Sequence, residues 1–157
     1  MMITCLETPL GTLQISGDIQ GISEVKFTDK PMMSVDETPQ LLEEAVQQLK
    51  EYFSKSRTQF SLKLNPQGTE FQKKVWNTLQ TVDFGKTRTY QQIANTLGDP
   101  KVIRAAASAN GRNPIAIIIP CHRIIGSDGS LTGYAGGLHR KKWLLEHESP
   151  IKQGELF

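Results

Sequence analysis

"TYQQIANTLGDPKVIRAAASANG", residues 89–111, decides how the second half of the chain folds. Thr89 with Gln92 spells a capping box, so a helix starts at Tyr90 and runs to a stop at Gly98. Asp99 and Pro100 then supply an N-cap and a first-turn proline for a second helix, closed by Gly111. Two short helices joined by a tight glycine turn form a helix-turn-helix, a pairing found both in DNA-binding proteins and in proteins that never meet DNA. The second helix carries Arg104 followed by Ala105, Ala106, Ala107, Ser108 and Ala109, a face with almost no bulk. Such a face either packs tightly on neighbouring helices or lets the backbone approach a partner closely, which a narrow minor groove favours over a wide major groove.

Upstream, "ITCLETPLGTLQISGD" (3–18) alternates apolar and polar residues on either side of the turn "TPLG", which predicts a hairpin, and "GISEVKF" (21–27) predicts a third strand from Gly21. A polar loop rich in Pro, Met and Asp follows. Leu42, Ala45, Val46, Leu49 and Phe53 then recur at helical spacing, predicting a helix that covers the sheet. "LNPQG" (64–68) reads as a boundary between a domain at 1–67 and one at 68–157. Beyond it a second capping box, Thr69 with Gln72, opens a helix whose stripe is Phe71, Val75, Leu79 and Val82. Charge divides along the same line: six Lys/Arg against nine Asp/Glu (net −3) before residue 68, and twelve against seven (net +5) after it. An acidic partner belongs on the second half, although a balance of this size also suits an ordinary solvated surface. A length of 157 residues with 38% apolar content supports a real core. Two distant cysteines and no membrane-length apolar run lead to the expectation of a cytoplasmic protein with free thiols.

Downstream, "IAIIIP" (115–120) is a β-branched run expected to form a buried strand or extended segment that delivers Cys121 to the interior. Cys121 is followed at once by His122 and Arg123. Three readings stand side by side: a nucleophile activated by a base, a metal ligand, or a small buried residue closing a strand. With His122, His139 and His147 the only histidines, a three- or four-ligand zinc site is disfavoured. If His122 is a base it needs an orienting acid, and Glu148 is the candidate. Leu138, Lys141, Leu145 and Glu148 share one face of a final helix. Between lies "GSDGSLTGYAGG" (126–137), a glycine-rich loop able to wrap a ligand with backbone groups but without Walker or Rossmann spacing. Residue chemistry alone leaves a cysteine-dependent hydrolase and an alkyl acceptor in competition.

"RAAASANGRNPIAIIIPCHRIIGSDGSLTGYAGGLHRKKWLLEHE" (104–148) resembles the signature region of the O6-alkylguanine-DNA alkyltransferases, or methylated-DNA-protein-cysteine methyltransferases. The likeness is strong over residues 69–148, its proline-cysteine-histidine-arginine tetrapeptide is specific, and the N-terminal hairpin also resembles the family's. The chain is similar to the short bacterial members. The resemblance implies an α/β (α+β) protein: a small ribonuclease H-like three-stranded antiparallel sheet with a helix, then a mostly helical domain with a winged-helix-like helix-turn-helix. It implies direct reversal of O6-alkylguanine damage, and possible action on O4-alkylthymine, by stoichiometric alkyl transfer to Cys121.

By the same resemblance His122 acts through a bound water as base, Glu148 holds it, and Asn113 fixes the active-site turn. Tyr90 presses on the target phosphate and hydrogen-bonds the flipped guanine, and Arg104 fills the gap left in the stack. Further DNA contacts are expected from Ala105, Ala106, Ser108, Arg112 and Arg123. The carbonyls of Cys121 and Ile124 read the guanine amino group, the amide of Ala135 faces O6, Tyr134 walls the alkyl pocket, and Lys141 pairs with the site. The expected partner is double-stranded DNA carrying the lesion, met through its minor groove with base flipping by a monomer, with no membrane and no cofactor. Some members hold a structural zinc; Cys5 has no second cysteine and no histidine within 1–67, so none is expected here. The competing readings are a protein that binds damage without transfer and, from another class, a thiol hydrolase.

Overall fold

The computed structural model describes residues 1–29 and 38–150. The polar loop expected after the third strand falls mostly on residues 30–37, outside those described. The described chain forms two compact units, one of residues 1–67 with 114–116 and one of 68–113 with 117 onward. Together they make an α+β fold.

In the first unit β1 (Met2–Thr8), β2 (Gly11–Asp18) and β3 (Gly21–Thr28) form an antiparallel sheet in that order. The first turn is tied by the Thr8 hydroxyl donating to the Gly11 carbonyl at 2.7 Å, with Gly11 at φ +112°. A register shift at Ser16/Gly17 interrupts the β2–β3 ladder. α1 (Gln40–Phe53) buries Leu42, Ala45, Val46, Leu49 and also Tyr52, while Phe53 stays half-exposed. The stripe therefore ends one residue earlier than its spacing suggested, because the Tyr52 ring meets Phe53 edge-on at 5.3 Å and tilts over Phe60 at 5.8 Å. The outer edge of β3 is not left open. Ile22 bonds to Lys63 and Asn65, and Val25 bonds to Pro114 and Ala116, at 2.7–2.9 Å.

The isoleucine run makes no strand beyond that. Only Ile115 bridges to Val25, and Ile117 turns the chain with φ +70°. A β-branched residue in this region is a steric outlier, held here with its side chain fully buried.

In the second unit α2 (Glu70–Leu79) begins at the Thr69–Gln72 capping box and buries Val75, Trp76 and Leu79; Phe71 is only half-buried. β4 (Arg88–Thr89) leads into α3 (Tyr90–Thr96), whose capping box is Thr89 with Gln92. Asp99 caps a single 3-10 turn, Pro100–Val102, which continues as α4 (Ile103–Gly111). α4 packs against both α2 and α3. The Trp76 indole N–H donates to the Ala109 carbonyl at 2.8 Å in a buried contact, fixing the end of α4 against α2. β5 (Ile124–Ile125) pairs in parallel with β4, and α5 (Leu138–Glu148) buries Lys141, Leu144, Leu145 and Glu148 while Leu138 stays exposed. Trp76→Phe removes the indole donor and leaves the Ala109 carbonyl only the Arg112 N–H at 3.2 Å, so it should cost roughly 0.5–1.5 kcal/mol, read by denaturant unfolding.

Candidate active site

Cys121 sits where two tight turns meet. Pro120 has φ −83° and ψ 63°, and the Cys121 N–H reaches back to the Ile119 carbonyl at 2.8 Å, an inverse γ-turn. Cys121–Arg123 then form a single 3-10 turn. The Asn113 amide holds the same corner by donating to the Ile119 carbonyl at 2.7 Å, and it also hydrogen-bonds the Cys121 thiol. The Cys121 carbonyl accepts from the Ile124 N–H and, at a long 3.4 Å, from the Asn110 side-chain amide.

The side chains of the turn run inward. His122 is fully buried and its Nε2 lies 2.7 Å from Glu148 Oε2. A carboxylate accepts only, so Nε2 carries the proton and Nδ1 presents its lone pair. Arg123 completes the arrangement: Nε to Glu148 Oε1 at 2.7 Å, a second nitrogen to Oε2 at 3.0 Å, and the third to the Val82 carbonyl at 2.7 Å. Its guanidinium also stands 5.8 Å over the Phe84 ring. Arg123, expected among the DNA contacts, is thus 6% exposed with its donors spent on Glu148 and Val82. Burial alone would push the Glu148 carboxyl up, but His122 and Arg123 together hold it well below the usual carboxylate range.

Burial pushes the Cys121 thiol up, partly offset by the Asn113 hydrogen bond and the nearby charge of Lys141. Lys141, with its side chain buried, is lowered to about 8 by desolvation. Its ammonium donates to the Thr132 carbonyl at 2.8 Å and lies 5.8 Å from the Tyr90 ring, and the Tyr90 hydroxyl reaches the same carbonyl at 3.2 Å. The Tyr134 hydroxyl is buried without a partner, and burial followed by the Cys121 charge raises it well above its ordinary value.

A cleft of about 710 Å³ opens beside these groups, lined among others by Tyr90, Arg104, Ala107, Ser108, Tyr134 and Ala135. Arg104, Ala105, Ser108 and Arg112 are exposed on or just after α4. Ala106, expected at the DNA surface, is 1% exposed and faces the core; Ala107, one residue on, lines the cleft instead. Helical rotation decides this, since the open face repeats at 104, 107/108 and 111. Ile124 is buried. Sequence reasoning missed Ala107, Asn110 and the clamp that Arg123 puts on Glu148; the helical repeat from Arg104 carried the signal for Ala107. Among the described residues, no group of three or more His, Cys, Asp or Glu could hold a metal ion.

Comparisons with known proteins agree over the whole described chain. The family profile "6-O-methylguanine DNA methyltransferase, DNA binding domain" matches residues 70–150, and its "ribonuclease-like domain" counterpart matches residues 1–66. A methylated-DNA–protein-cysteine methyltransferase of Methanosarcina acetivorans is 46% identical over 153 residues, covering 94% of this chain and 98% of that protein. One of Mycobacterium tuberculosis is 42% identical over 155 residues, covering 96% and 94%. A crystal structure of Mycobacterium tuberculosis OGT in complex with DNA superposes with a TM-score of 0.86 at 39% identity, covering 98% of this chain and 96% of that one.

Two pH effects follow from the buried charges. Glu148 titrates lower in the folded chain than in the unfolded one, so its stabilisation is full above about pH 4.5 and falls away as the medium is acidified below that. Glu148→Gln strands Arg123 in the interior; it should cost roughly 3–5 kcal/mol at pH 7 and flatten the acid limb of unfolding free energy against pH. Lys141 has the opposite sense. Its folded value of about 8 lies below the unfolded one, so stability rises with pH between about 8 and 10.5. Lys141→Met should stabilise the protein at pH 7 and remove that rise, as denaturant titrations at pH 7 and 10 would read.

Proposed function

The chain belongs to the 6-O-methylguanine DNA methyltransferase family, binds DNA and repairs it by moving an alkyl group from the base to a cysteine of its own; from that premise we propose that Cys121 is the acceptor and that His122 and Glu148 activate it. One observation carries the assignment. Behind a cysteine at 7% exposure stands a fully buried histidine whose Nε2 is locked on a carboxylate at 2.7 Å. That lock leaves Nδ1 free to take the thiol proton through a water, while Glu148 balances the imidazolium that forms. The thiolate then attacks the alkyl carbon. An S–C bond forms, the C–O6 bond breaks with its electron pair going to the purine, and the departing guanine takes a proton. Tyr90 and Lys141, gathered on the Thr132 carbonyl, are placed to meet that developing charge. The product is a thioether with neither a good leaving group nor an activated carbonyl, so the protein is consumed.

The alkylated atom is out of reach inside a duplex, so the reading requires base flipping, at a cost of roughly a few kcal/mol. The bare face of α4 at Ala107, Ser108 and Gly111 suits a minor groove, with Arg104 filling the vacated stack and Ala105 and Arg112 beside it. Tyr134 and Ala135 line the cleft that receives the base, with the Ala135 amide facing O6. The carbonyls of Cys121 and Ile124 read the guanine amino group, Cys121 by sharing the acceptor that holds Asn110 at only 3.4 Å. One chain supplies every group named, which supports action as a monomer, and the reading places it in the cytoplasm. Among the described residues no helix is long and apolar enough to cross a membrane.

Mixing the protein with a duplex carrying one O6-methylguanine should add one methyl group to the intact mass, mapped to Cys121, with no gain on a second dose. Cys121→Ser should bind the duplex and stay unmodified. Repeated release of product without a mass change would favour a hydrolase; an unchanged mass with DNA bound would favour a damage-binding protein. Arg104→Ala should slow transfer from duplex DNA about tenfold and from a single strand far less, because an unstacked base leaves no gap to fill.

A further inference from the structure

Among the described residues three side-chain atoms are buried without a hydrogen-bond partner, the Tyr134 hydroxyl, Nδ1 of His122 and Oδ1 of Asn110, and the last two belong to residues joined directly to Cys121, one by the chain and one by a hydrogen bond to its carbonyl. Asn110 lies in the last turn of α4, is 3% exposed, and was assigned no part in the chemistry above. Its amide orientation is determined by its neighbour. The Cys121 carbonyl can only accept, so Nδ2 must face it, as found at 3.4 Å, and Oδ1 is left as an acceptor looking for a donor. Closure of the helix does not need it: the Ala109 carbonyl is held by Trp76, and the Arg112 N–H returns to Ser108 and Ala109.

Hydrogen-bond accounting for the relay requires such an acceptor. A water passing a proton from the thiol to His122 accepts from S–H and donates one O–H to Nδ1. Its second O–H has to end on a buried acceptor, because a buried water is held by about three partners. We infer that Asn110 is a positioning residue of the relay, its Oδ1 taking that second O–H and so aiming the water between Cys121 and His122. The inference rests on the proposed relay through His122. In the step the S–H bond breaks, the proton joins the water as one of the water's own moves to Nδ1, and the result is a thiolate and an imidazolium. Asn110 exchanges no proton and keeps the geometry in which the transfer occurs.

The test compares Asn110→Ala with Asn110→Ser in the full chain, since the two differ by one hydroxyl and any shared packing loss cancels. Single-turnover methyl transfer from an O6-methylguanine duplex is followed from pH 5.5 to 9.5, alongside duplex affinity and the pH dependence of Cys121 alkylation by iodoacetamide without DNA. Asn110→Ala should slow transfer about tenfold at pH 7 and move the midpoint of the pH–rate profile up by about one unit, with affinity unchanged. Asn110→Ser, which returns an acceptor oxygen, should recover most of both. Identical pH profiles for the two variants, whatever their rates, would overturn the assignment and leave Asn110 a packing residue. His122→Gln separates the premise from the inference: a wild-type profile in that variant removes the relay itself, whereas a shifted one beside unshifted Asn110 variants removes only Asn110.

Discussion

A carboxylate that is 3% exposed is tolerable only when its oxygens are fully engaged, and Glu148 is met by His122 on one oxygen and by Arg123 on both. This single group ties α5 to the turn that carries Cys121. It sets the tautomer of His122, and so decides which ring nitrogen is available to a proton. It also gives Arg123 a reason to be buried, since a guanidinium with all three nitrogens on acceptors carries its charge inside at far lower cost than an unpaired one. The apolar packing of Leu144 and Leu145 brings α5 to the core, but the pairing of Glu148 determines how the helix is rotated when it arrives.

Much of this was legible in the sequence because it depends on periods. The spacing of Lys141, Leu145 and Glu148 puts them on one helical face, and both capping boxes fall where Thr and Gln stand three apart. What was not legible depends on exceptions to a period. The isoleucine run has the composition of a strand, yet Ile117 at φ +70° ends it after one bridge. Adjacent residues in extended chain point to opposite sides, whereas Cys121, His122 and Arg123 occupy a 3-10 turn and project about 120° apart. That difference sends His122 and Arg123 together toward Glu148 and removes Arg123 from the surface on which the resemblance had placed it. Ala106 and Ala107 differ only in rotation about α4, which an alanine run conceals because every position looks alike.

The same turn explains why the thiol is kept difficult to ionise. A catalyst that regenerates its nucleophile gains from a standing thiolate, but an acceptor that reacts once loses the whole molecule to any stray electrophile. For Cys121 in the proposed acceptor role, burial to 7% exposure and the upward push that burial gives the thiol work against stray reaction between encounters. Asn113 and Lys141 pull the other way, so the proton is removable when a base stands ready and a substrate fills the cleft. Lys141 does this at a cost to folding, since its own ammonium is desolvated to a value of about 8. A buried cation that destabilises the fold while favouring the thiolate fits the proposed acceptor site, where a local rule of stability is broken for the chemistry.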